Sequence, residues 1–68
     1  MEIDKLNQLR GLVAAKRLHA EDIAPALGIS AATYYRKLNG ASDFSLSEVS
    51  ALIKFLGLTP DEANKLFF

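Results

Sequence analysis

Apolar residues recur along the chain at helical spacing and do not alternate as they would in strands. Leu6, Leu9 and Val13 form one stripe with polar residues between them, which predicts a first helix over about 4–16 with Asp4 as its N-cap. Gly11 inside that helix costs about 1 kcal/mol relative to Ala, which suggests a neighbouring helix packed close against it. A shorter second helix is predicted over 20–27, with Ile23, Ala24 and Leu27 on its apolar face. Glu21 and Asp22 stand in its first turn, where the helix dipole favours anions, and His19 occupies the position of a weak cap. Pro25 removes a backbone donor well inside this helix, so a kink or a loosened carbonyl near Glu21 is expected. Gly28 then ends it as a left-handed residue.

Ser30 caps a third helix, predicted over 30–39 and stopped at Gly40. The capping box Ser45-Leu46-Ser47-Glu48 opens a fourth over 46–56, with a core stripe of Leu46, Val49, Leu52, Ile53 and Leu56. Thr59-Pro60-Asp61-Glu62 combines an N-cap, Pro at the first helical position and Glu at the third, opening a fifth helix over 60–66. The reading is an all-α fold: one compact five-helix domain spanning 1–68.

Composition narrows the function. At 68 residues the chain holds one domain, and a domain of this size buries only about 60% of the surface its unfolded form exposes. Without Cys there is no disulfide and no zinc-type spacing, so stability has to come from well-packed helices. An extended β-architecture or a large enzyme cleft is not expected. The longest uncharged run, 23–35, is broken by Pro25, Gly28 and Ser30 and is too short to span a bilayer, so no membrane association is expected. Glu2 and Asp4 at the start do not make a signal pattern, which leaves a cytoplasmic protein as the expectation. His19 is the only His and has no Cys partners, so no metal is expected. Glu21 and Asp22 are adjacent on a helix and diverge, and no nucleophile–base pair or phosphate-cradling Gly loop appears. No enzyme activity, cofactor or small-molecule substrate is expected.

The formal net charge is zero, which counts against a nucleic-acid binder. Its distribution is more informative. Residues 1–19 carry Lys5, Arg10, Lys16 and Arg17 against Glu2 and Asp4, a balance of +2, and residues 30–42 carry Arg36 and Lys37 with no acid, again +2. Residues 20–29 and 43–68 each balance at −2. A fold that brings the two basic segments together creates a positive face.

The second and third predicted helices, joined at Gly28, have the shape of a helix-turn-helix. Ala24 has to be small where the two axes approach, Gly28 supplies the backbone angle of the turn, and Ile23, Leu27, Ile29, Tyr34 and Leu38 lock the pair together. At about 100° per residue, Tyr34 and Leu38 share one face of the third helix with Ala31. Ala32, Arg36 and Asn39 point the other way, and Tyr35 lies on the flank. The segment LHAEDIAPALGISAATYYRKLNG, 18–40, resembles the helix-turn-helix of the phage Cro and repressor family, and ASDFSLSEVSALIKFLGLTPDEANKLFF resembles the fourth and fifth helices of that lambda-repressor-like fold.

The resemblance implies a transcriptional regulator that binds double-stranded operator DNA as a homodimer, with 30–39 as the recognition helix in the major groove. The residues it assigns to DNA are Ser30, Ala31, Ala32, Tyr35, Arg36, Lys37, Asn39 and Ser42. Arg36 suits guanine O6/N7 or a phosphate, and Tyr35 a phosphate or a thymine methyl group. Asn39 and Ser42 suit backbone contacts, and Lys37 would extend its stem and offer its ammonium group to solvent or phosphate. Ser30 would reach a base or phosphate unless capping occupies its hydroxyl.

Ala20 stands where the family often carries a phosphate-binding Gln, and Ala31 and Ala32 where it often carries longer polar residues. Apolar contacts, shape readout or modest specificity are therefore expected. Phe55 points about 120° away from the core stripe of its helix. It is either covered by the last helix or part of a dimer patch with Leu66, Phe67 and Phe68. The alternative function is a protein-binding adaptor or antirepressor that uses the same fold without DNA affinity of its own.

Overall fold

Three of the helices begin at hydroxyl caps that the chain itself supplies. A computed structural model describes residues 1–68 as α1 (Ile3–Ala15), α2 (Ala20–Leu27), α3 (Ala31–Leu38), α4 (Leu46–Leu56) and α5 (Pro60–Phe67), with no strand. The side chains of Ser30, Ser45 and Thr59 accept from the backbone N–H three residues on, at the starts of α3, α4 and α5. Glu48 and Glu62 return the bond to the N–H of Ser45 and Thr59, at 2.7 and 2.9 Å, and so complete two capping boxes. At the start of α2 the Asp22 carboxylate accepts from the His19 N–H at 2.9 Å.

The start of α1 differs from expectation. Glu2 holds the cap position without a side-chain bond, and Asp4 lies inside the first turn, where its charge still meets the helix dipole. Gly11 is exposed, and a Cβ built there meets nothing within 4 Å, so no helix packs against it. Helix α2 continues through Pro25 without interruption. Pro25 and Glu21 are both exposed, so water can meet the carbonyl that loses its donor. Gly28 (φ 74°) turns the chain, while its N–H donates to Pro25 O and that of Ile29 to Ala24 O, both at 3.1 Å. The same bonding pattern closes α1, but with Arg17 (φ 56°) in the left-handed position, where a side chain is disfavoured.

The core draws on every helix: Leu9, Ala20, Ile23, Ala24, Tyr34, Leu38, Leu52, Leu56 and Leu66 form one buried cluster. Helix α2 packs against both α3 and α4, and α5 lies on α1. Ala24, 1% exposed, sits at the α2 contact where a small residue was expected. The side chain of Lys5 on α1 also donates to the Lys65 carbonyl on α5. Leu46 departs from the predicted stripe and is 75% exposed, because it is the first residue of α4 and projects beyond the packed turns. No helix is long and apolar enough to cross a membrane.

Two residues expected in a dimer patch belong to the monomer instead. Leu66 is buried in the core cluster, and Phe67 is half-buried against it, because α5 turns that side towards α1. Phe55 remains 40% exposed and Phe68 74% exposed, so α5 does not cover Phe55.

Candidate nucleic-acid interface

Helix α3 is anchored from its inner face. Tyr34 and Leu38 are buried, and the Tyr34 ring lies 6.0 Å from that of Phe44 at a tilt of 56°. The Tyr34 hydroxyl is buried without a hydrogen-bond partner. Burial raises its pKa, the neighbouring Tyr35 adds to the rise, and the Arg10 guanidinium opposes it.

The outer face is open. Ala32, Tyr35, Arg36, Asn39 and Ser42 are all exposed, and Arg36 makes no ion pair within the molecule. Tyr35, 49% exposed, packs its ring edge-on against Tyr34 at 6.0 Å, which fixes the direction of its phenol. Ser30 is exposed too, but its hydroxyl accepts from Thr33 N–H at 3.1 Å and donates to Thr33 Oγ1 at 3.0 Å. Capping therefore uses the group that sequence reasoning offered to DNA.

Two expectations are corrected. Ala31 is half-buried against the core and contributes little to the outer surface. Lys37 does not present its ammonium group to solvent: it donates to Glu48 Oε1 at 2.6 Å, and only 15% of its side chain is exposed. Glu48 is the third residue of α4, turned back by its capping box, and it is itself buried. The bond from Lys37 and the Ser45 N–H hold its carboxyl below the usual carboxylate range, against the opposing effect of burial.

Arg10 is the polar residue that sequence reasoning missed. From α1 its Nη2 donates to the Leu38 carbonyl at 3.1 Å and to Asn39 Oδ1 at 2.5 Å. The signal available was its place beside the Leu6, Leu9 and Val13 stripe, which directs a long side chain along the core edge but does not say which helix end it meets. The remaining carbonyls at the end of α3 are met locally: Gly40 N–H bonds Lys37 O at 3.1 Å, and Ala41 N–H bonds Arg36 O at 2.9 Å.

No group of His, Cys, Asp and Glu side chains is placed to hold a metal ion. A surface groove of about 220 Å³, lined by Gln8, Leu12, Leu58, Glu62, Lys65 and Leu66, lies between α1 and α5 and involves no residue of α3.

The inner anchoring, the turn at Gly28 and the open outer face of α3 are the parts of a helix-turn-helix, and a helix-turn-helix domain family matches residues 7–66. The chain belongs to that family. The match takes in all five helices apart from the first residues of α1 and the last of α5, and the family is of the Cro and lambda-repressor kind. No curated protein and no solved structure matches the chain. Within the helix-turn-helix domain, α3 is the helix with a free outer face.

Proposed function

We propose that this helix-turn-helix domain is a sequence-specific DNA-binding regulator of Cro and repressor type, with α3 entering the major groove of an operator. The observation that carries the reading is the outer face of α3: Tyr35 and Arg36 stand exposed with no carboxylate of the molecule against Arg36. Arg36 is the base reader or phosphate clamp, Tyr35 a phosphate or thymine-methyl contact, and Ala32 an apolar contact that leaves specificity modest. Asn39 and Ser42 meet the backbone where α3 ends. Binding as a homodimer follows from size, since one small domain offers few contacts and two half-sites about one helical turn apart restore them. Phe55 and Phe68 are the exposed aromatics available to such an interface.

The competing reading is a protein-binding adaptor. It is favoured by the zero net charge, and by the ion pair to Glu48, which removes Lys37 from the charges free to meet phosphate. Titration of random duplex DNA at low salt separates the two. Salt-dependent binding, followed by enrichment of one sequence from a random pool, supports the regulator, and no binding at low salt leaves the adaptor. Sedimentation of Phe68→Asp beside the parent tests whether the terminal aromatics associate, and an unchanged mass removes that interface.

A further inference from the structure

The end of α3 holds an arrangement that the functional reading does not use. Arg10 reaches from α1 to place one guanidinium nitrogen on both the Leu38 carbonyl and the Asn39 side chain, at 3.1 and 2.5 Å. An arginine only donates, so the amide atom facing it has to be the oxygen, and the orientation of the Asn39 amide is fixed by chemistry. Asn39 is exposed, and its NH2 group makes no hydrogen bond within the molecule, which leaves two donors free.

We propose that Arg10 is a positioning residue for DNA contact: it holds the Asn39 amide oxygen so that the amide NH2 faces a phosphate at the end of the recognition helix. The inference rests on the DNA-binding reading of α3. Phosphate is the ligand, and a base edge is not, because in a helix-turn-helix the first residues of the recognition helix meet the bases, and Asn39 stands at the far end. Sequence specificity therefore does not pass through this pair; affinity does.

The test measures low-salt duplex binding by fluorescence anisotropy for the parent, Arg10→Ala, Asn39→Ala, their double variant and Asn39→Asp, with helicity followed by circular dichroism. Arg10→Ala and Asn39→Ala each weaken binding about tenfold, the lower end for one hydrogen bond to a charged group, without changing which duplex is preferred. In the Asn39→Ala background, Arg10→Ala then changes affinity by less than about twofold, because the group it acts through is gone. Asn39→Asp keeps an acceptor for Arg10 and hence the fold, but it has no donor and repels phosphate, so it binds more weakly than Asn39→Ala. That variant decides the matter should Arg10→Ala fail to fold.

Three results overturn the inference. In the first, Asn39→Asp binds duplex as tightly as the parent; in the second, Arg10→Ala does so; in the third, Arg10→Ala costs as much without Asn39 as with it, while the salt dependence becomes shallower by about one phosphate contact, which makes Arg10 itself the contact. A parent that fails to bind any duplex defeats the functional reading first, and is told apart by that.

Discussion

Tyr34 and Tyr35 are neighbours in the chain, as are Arg36 and Lys37, and in each pair α3 sends one side chain inward and the other outward. Tyr34 is 2% exposed, and its ring fills the space beside Phe44, whereas Tyr35 is 49% exposed. Lys37 is bound to the buried Glu48, whereas Arg36 is exposed and has no ion-pair partner. Adjacent helical residues differ by about 100° in direction, enough to separate a core position from a surface one. Identical chemistry at adjacent positions thus does different work. One tyrosine and one cation hold α3 in place, and the other two are free to meet a ligand.

The largest effect that tests this contrast is on stability. Lys37→Ala leaves the Glu48 carboxylate buried with Ser45 as its remaining charge-stabilising partner, and is expected to cost about 1–3 kcal/mol in urea unfolding. Arg36→Ala is expected to stay within about 0.5 kcal/mol of the parent. Equal losses would erase the distinction between the two cations. Binding should reverse the order. Arg36→Ala costs about 1–3 kcal/mol of affinity for a selected site, with relaxed preference at one base if it reads guanine, or a uniform loss and a shallower salt slope if it holds phosphate. Lys37→Ala, measured where it is fully folded, leaves that affinity nearly unchanged.

Acid sharpens the same comparison. The Glu48 carboxyl lies below its ordinary value of 4.5 in the folded state, so its contribution is complete above that pH and is lost as pH falls through and below it. The parent and Arg36→Ala therefore lose stability together on acidification. Lys37→Ala loses less, and keeps the part due to Asp43 and Glu62, which the terminal amine and the Thr59 N–H also hold low. Parallel acid profiles for all three proteins would show that the Lys37 pair does not report on pH.

The smallest effect belongs to the tyrosines. Tyr34→Phe removes a buried hydroxyl that has no partner, so stability should stay level or rise by up to about 1 kcal/mol. Tyr35→Phe should leave stability unchanged and lower affinity only if its hydroxyl meets phosphate. A substantial loss of stability in Tyr34→Phe would mean that the hydroxyl has a partner after all.

Much of this was readable in the chain. The starts of α3, α4 and α5 follow from Ser30, Ser45 with Glu48, and Thr59 with Glu62, because a cap and its target lie within one turn of each other. The inward direction of Tyr34 and Leu38 follows from the helical period alone. What misled was charge. Lys37 reads as a free cation until α4 brings Glu48 against it, and the two are 11 positions apart in the chain. Arg10 gave no sign of its destination, since Leu38 lies 28 residues on. Leu66 was assigned to the surface because the sequence does not say which side α5 turns towards α1.

The sequence by itself determined where α3, α4 and α5 begin, that Gly28 turns α2 into α3, and which face of α3 looks outward. These depend on interactions reaching no further than about one helical turn. Only the tertiary structure decided which polar groups on that face remain free. Lys37, Ser42, Asn39 and Arg36 are alike in being able to meet a phosphate, but their availability depends on whether another helix delivers a partner. Long-range packing delivers Glu48 to Lys37 and Arg10 to Asn39, and it delivers no charged partner to Arg36.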